Sequence, residues 1–143
     1  RALPGEVLTL LPDRAPDLIM TLPTSVTQAA IYRLSGDRNP LHIDADTANR
    51  AGFSRPILHG LSTLGVAARA IIHALCNGNS ARLTELSARF TAPLYPGAVL
   101  KTEIWDNGGG NIAFRCRSVE TNDIVVDSGH ATLDAFAAPG ATA

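Results

Sequence analysis

His59-Gly-Leu-Ser-Thr-Leu-Gly-Val-Ala-Ala-Arg-Ala-Ile-Ile-His-Ala-Leu75 is the longest stretch of the chain that nothing interrupts as a helix. Apart from Ser62, Thr63, Arg69 and His73 it is apolar or small on every side, so the helix is expected to be surrounded by protein rather than to lie on a surface. It is nearly long enough to span a bilayer. The interior Arg69, the glycines and the histidines, with no second span, instead make it a buried core helix. What can bury it follows in the chain. In 82–92, Leu86, Ala88, Phe90 and Ala92 alternate with Glu85, Ser87, Arg89 and Thr91, the period of a half-buried strand. After a turn at Leu94-Tyr-Pro-Gly97, Val99 to Trp105 and Ile112 to Val119 flank Asp106-Asn-Gly-Gly-Gly-Asn111, a hairpin connection rich in residues that accept positive φ. Ile112, Phe114 and Cys116 share one face, Arg115 and Arg117 the other, and Ile124 to Leu133 is a further long strand. One long apolar helix followed by an antiparallel meander able to curl round it makes a single α+β domain over 1–143.

Working back from the helix, Arg55-Pro56 breaks the chain, and Asp44 or Asp46 can cap a short helix running through Ala51 to Gly52. A second short helix, capped by Thr24 or Ser25, is expected to stop where Gly36 takes a left-handed conformation. Ile19 to Leu22 is a short strand ended by Pro23. Residues 1–18 form an N-terminal arm without a period, and 136–143 a flexible tail. Apolar residues on the outer strand faces, such as Val99 and Trp105, make pairing with a second similar unit plausible, as a homodimer or with another domain.

The 143 residues carry a net charge of −1, with 45% apolar and 17% charged residues. That is the composition of a globular protein without the electrostatic footprint of a nucleic-acid or membrane-surface binder. Cys76 and Cys116 are too few and too distant for a disulfide framework or metal cluster and are read as buried thiols. No basic segment leads into an apolar stretch at the start, and the end is not a Ser-Lys-Leu address, so the cytoplasm is the default expectation.

The chemistry is densest in Tyr32-Arg-Leu-Ser-Gly-Asp-Arg-Asn-Pro-Leu-His42. A carboxylate and an imidazole five residues apart, Asp37 and His42, can converge on one water molecule, the anion accepting a proton and the imidazole accepting or donating one. Asn39 between them can orient either group or a substrate. The same residues are also good turn formers, and Asp37 and Asn39 can be read as nothing more. Gly60, at the start of the apolar helix, has an N–H without an intrahelical partner and lets a ligand approach closely. A thioester carbonyl on that N–H would have its developing enolate oxygen stabilised. Alternatively, Gly60 serves close packing alone. His59 is read as a structural neighbour that orients the turn. Asp37, His42, Asp44 and His59 offer metal-type ligands, but at no recognisable metal spacing, and Asp44 is more simply a helix cap, so no metal site is expected.

At these residues the chain resembles the MaoC-like, hydratase 2 type of (R)-specific enoyl-CoA hydratase, a hotdog-fold family. The resemblance is carried by the 32–42 stretch, Ala-Gly-Phe at 51–53, Pro-Ile-Leu-His-Gly-Leu at 56–61 and Ala-Arg-Phe-Thr-Ala-Pro-Leu-Tyr-Pro-Gly at 88–97. It implies reversible hydration of a trans-2-enoyl-CoA to an (R)-3-hydroxyacyl-CoA without a cofactor. Asp37 and His42 would be the acid/base dyad, Asn39 their positioning partner and the Gly60 N–H the oxyanion donor. Arg38, Pro40, Leu41 and Phe90 would contact the acyl-CoA, whose phosphates Arg38, Arg89, Arg115 or Arg117 can meet. The wording is closest to the catalytic C-terminal half of two-repeat hydratases, yet only one repeat is present. The alternatives are a hotdog thioesterase, or a non-catalytic acyl-CoA-binding subunit that completes a partner enzyme.

Overall fold

A computed structural model of the chain describes residues 10–134. Five strands, β1 (Leu18–Pro23), β2 (Leu83–Phe90), β3 (Val99–Asp106), β4 (Asn111–Ser118) and β5 (Ile124–Leu133), form one antiparallel sheet in the order β1-β3-β4-β5-β2. Three helices, α1 (Gln28–Tyr32), α2 (Ala45–Arg50) and α3 (Gly60–Leu75), lie between β1 and β2 in the chain. α3 touches β3 and also β1 and β2, the two edges of the sheet, so the sheet curls round the helix as the sequence predicts.

The alternating pattern builds this core directly. Leu100, Thr102 and Ile104 on β3 and Ile112, Phe114 and Cys116 on β4 are buried against α3. The outer face carries ion pairs: Arg117 with Glu103 at 3.3 Å, Arg115 with Asp127 at 3.0 Å and Lys101 with Glu103 at 3.4 Å. Such partly exposed pairs each contribute about 0–1 kcal/mol, so apolar burial rather than charge holds the sheet. Burial pushes the Cys116 thiol up to about 12, keeping it protonated and inert.

Three expectations change. α3 is not enclosed on all sides: Ser62, Thr63, Val66, Ala67, Ala70 and Ile71 are buried, while Leu61, Gly65, Arg69 and His73 form an exposed stripe. A five-stranded sheet covers one side of a helix, and among the described residues only α1 reaches the other, where the Gln28 amide donates to the Ser62 hydroxyl at 2.9 Å and Gln28 and Tyr32 border Leu61, Gly65 and Arg69. Trp105 does not present an outer apolar face for pairing, since it is only 4% exposed and its indole N–H donates to the Arg14 carbonyl at 2.9 Å. The backbone at Arg14, just ahead of β1, meets it. Neither Thr24 nor Ser25 caps α1, whose N-cap is Thr27 without a side-chain bond. The Thr24 hydroxyl instead donates to Ala98 O and accepts from Gly97 N–H, tying the end of β1 to the turn before β3. The expected tail lies outside the described residues. Among the described residues no helix is long and apolar enough to cross a membrane.

Candidate active site

The loop before α2 is shaped by its own polar side chains. Gly36, at φ 115°, ends the 3-10 turn that follows α1, a conformation that favours glycine. The Asp37 carboxylate accepts the Asn39 N–H at 3.2 Å. The Asn39 side-chain oxygen accepts the Leu41 N–H at 3.1 Å and caps a 3-10 turn, Pro40–His42. Both residues therefore do turn work, and that work points His42 inward, where it is 9% exposed. Asp44, as predicted, caps α2 through the N–H groups of Asp46 and Thr47.

His42 is oriented by one bond. Its Nδ1 lies 2.8 Å from the Ile57 carbonyl, which can only accept, so Nδ1 carries the proton and the Nε2 lone pair is free. The His59 ring stacks on it with centroids 3.7 Å apart and planes 26° apart. His59 Nε2 in turn donates to the Asp37 carbonyl at 3.2 Å. One Asp37 carboxylate oxygen and one ring nitrogen from each histidine lie within 4.8 Å of one another. Those distances invite a metal reading, but nearly parallel stacked imidazoles aim their in-plane lone pairs side by side rather than at one ion. Asp44, already spent as a cap, stands apart from this group.

A cleft of about 470 Å³ opens beside His42, lined by Gly60, Thr63, Phe53, Phe90, Leu94 and Val125 among others. Gly60 is the first residue of α3, so its N–H has no intrahelical acceptor. The Phe90 ring closes over it, 3.2 Å from where a Gly60 Cβ would stand, and is itself 47% exposed. The structure thus brings His42, Gly60 and Phe90 to one apolar cleft, with Asp37 next to His42. Asp37, Arg38, Asn39, Pro40 and Leu41 do not line the cleft; the first four are exposed and Leu41 is half-buried.

Residues 8–128 match the MaoC-like domain family. The chain belongs to that family. This MaoC-like domain is 53% identical over 105 residues to the 3-hydroxyacyl-thioester dehydratase Y of Mycobacterium tuberculosis, covering 73% of this chain and 36% of that protein. It is 48% identical over 98 residues to the peroxisomal enoyl-CoA hydratase 2 of Arabidopsis thaliana, covering 68% of this chain and 32% of that protein. The solved full-length peroxisomal multifunctional enzyme type 2 of Drosophila melanogaster superposes with a TM-score of 0.87 at 42% identity, over 93% of this chain and 25% of that one. The domain therefore spans about a third of these curated relatives and a quarter of the fly enzyme. Its fold is the hotdog of the MaoC-like hydratases.

Two of the four arginines considered for phosphate contact are already engaged, since Arg115 pairs with Asp127 and Arg117 with Glu103. Arg38 and Arg89 are exposed. Sequence reasoning missed Arg33, which donates to the Arg38 carbonyl at 3.4 Å and braces the loop from outside. It also missed two cleft residues: Thr63, one helical turn after Gly60 on the same face of α3 and so within reach of periodicity, and Val125 on β5, which only the wrap of the sheet brings there.

Gly60→Ala tests whether this glycine serves the cleft or packing alone. The added methyl meets only the half-exposed Phe90 ring, which can swing outward, and alanine is the better helix former by up to about 1 kcal/mol. If Gly60 serves the cleft, the expected result is an unchanged or slightly raised Tm with at least a roughly 10-fold loss of turnover, because the methyl and the displaced ring intrude on the space beside the Gly60 N–H. A variant as active as the parent would leave Gly60 a packing residue.

Proposed function

We propose that this domain catalyses the reversible, (R)-specific hydration of trans-2-enoyl-CoA to (R)-3-hydroxyacyl-CoA. The observation that carries the reading is His42: its Nδ1–H is committed to Ile57 O, so its Nε2 is free to handle a proton, and one of its ring nitrogens lies within 4.8 Å of an Asp37 carboxylate oxygen. The names of the relatives, a hydroxyacyl-thioester dehydratase and an enoyl-CoA hydratase 2, support the two directions of that reaction. The (R) configuration comes with the hydratase 2 resemblance.

The chemistry follows from the groups. The thioester carbonyl accepts the Gly60 N–H. As the water oxygen bonds C3, the Asp37/His42 dyad takes its proton and the C2=C3 pair moves into an enolate. The negative charge develops on the oxygen held by Gly60, in an apolar cleft where one such donor is worth roughly 2.7–4 kcal/mol. C2 then takes a proton back from the dyad. Asn39 positions the pair through its cap, Phe90 covers the thioester, and Arg38, Pro40 and Leu41 contact the CoA portion from the loop. Loss of enoyl-thioester absorbance with crotonyl-CoA and longer substrates tests the reaction. Release of free CoA thiol with the double bond retained would make the domain a thioesterase instead.

We further propose that a second MaoC-like unit, another copy or a second repeat, seats on the bare stripe of α3. Leu61 there is 65% exposed, and among the described residues β2 is a sheet edge with one side unpaired, features that ordinarily meet a partner. The isolated chain is expected to run as a dimer in light scattering, and Leu61→Arg as a monomer. A monomeric parent would rule out the copy and leave a second repeat as the partner.

A further inference from the structure

Among the described residues, one buried group beside the dyad is unaccounted for. His59 is 2% exposed and its Nδ1 has no hydrogen-bond partner. Its other nitrogen donates to the backbone carbonyl of Asp37, 22 residues away in sequence. Its ring lies between Tyr32, centroids 4.6 Å apart, and the stacked His42. A buried imidazole that only fills space has no need of so directed a bond, and phenylalanine would fill the same space without leaving a bare nitrogen.

We infer that His59 is a positioning residue for hydration: held as the neutral, Nε2-protonated tautomer, it tethers the Asp37 backbone and fixes the His42 ring, so that the dyad is aligned before substrate arrives. The inference rests on the hydration reading for its kinetic consequence and on geometry alone for the tautomer. With Nε2–H committed to the Asp37 carbonyl, a second proton on Nδ1 would be a buried donor with no acceptor, beside His42 and near the Arg33 guanidinium. Burial first, and then His42, lower the pKa of His59 below its usual value, with Arg33 adding to this and the Asp37 carbonyl and carboxylate opposing it. The tether has a counterpart one residue on, where Arg33 donates to the Arg38 carbonyl. Two consecutive loop carbonyls are thus fastened by side chains from α3's cap and from the turn after α1. Small displacements of catalytic groups are costly, about 100-fold for a shift near 1 Å.

His59→Gln and His59→Phe separate tethering from packing. Glutamine can place an amide N–H near the position of Nε2, whereas phenylalanine keeps the stacked ring and loses the donor. With crotonyl-CoA, His59→Phe is expected to lower kcat about 10- to 100-fold with KM little changed, and His59→Gln to stay within about 3-fold of the parent. The reverse order, with phenylalanine the better replacement, or equal activity in the two, would overturn the tether. Nitrogen NMR of the parent provides a readout independent of turnover: His59 is expected as the Nε2–H tautomer at neutral pH, and an Nδ1–H tautomer or an imidazolium would overturn it. A parent that does not hydrate crotonyl-CoA but shows the expected tautomer would count against the reaction and for the geometry.

Discussion

Asp37→Asn and His42→Ala are each expected to hydrate crotonyl-CoA about 100- to 10,000-fold more slowly than the parent, the range contributed by a positioned general acid or base. The Asp37 variant is the cleaner of the two. Its new amide oxygen can still accept the Asn39 N–H that shapes the turn, so the substitution removes the charge and little else. His42→Ala additionally leaves the Ile57 carbonyl without its donor, a loss of about 1 kcal/mol in stability that a melting curve would register. Absorbance loss at matched protein concentration, with circular dichroism of each variant, makes the measurement. Rates equal to the parent's in both would remove the dyad from the mechanism, whatever the remaining geometry.

Phe114→Ala is expected to lower unfolding free energy by about 3–5 kcal/mol, read from the urea midpoint at constant m. That is a large part of a domain's typical 5–15 kcal/mol. Phe114 is fully buried at the centre of the sheet and faces Gly129 across β4 and β5. The glycine belongs to the same packing unit: a Cβ on Gly129 would stand 2.6 Å from the Phe114 carbonyl oxygen and 2.7 Å from its ring carbons. Gly129→Ala is therefore expected to cost about 1–3 kcal/mol. Shrinking the ring would not rescue it, because the carbonyl belongs to the backbone and stays. A Phe114→Ala cost below about 1 kcal/mol would mean that the core closes round the gap.

The elements that were legible in the sequence are those set by neighbours in the chain. The α3 boundaries, the β4 face of Ile112, Phe114 and Cys116, the whole of β5 and the Asp44 cap follow from period, breakers and short polar side chains. The loop's turn was legible because Gly36, Asp37, Asn39 and Pro40 are all turn formers, while its proposed proton handling rests on residue type. Less could be read where two distant segments meet. Trp105 reads as an outward apolar residue until the Arg14 carbonyl takes its N–H. Thr24 reads as a helix cap until Ala98 and Gly97 claim its hydroxyl.

By itself, the sequence determined that a long apolar helix would be wrapped by an antiparallel meander, and that Asp37, Asn39 and His42 would share one tight loop. Those outcomes depend on torsional preference and on which side of a strand or helix each residue falls, quantities fixed within a few residues. Only the tertiary structure decided that α3 keeps an exposed stripe of Leu61, Gly65, Arg69 and His73, since that depends on how far five strands reach round a helix. It alone also supplied the contacts of His59, which the sequence marks only as a neighbour that orients the turn. Stacking on His42 and donating to Asp37 require two loops to cross at one point, and that crossing is set by the packing of α3 into the sheet.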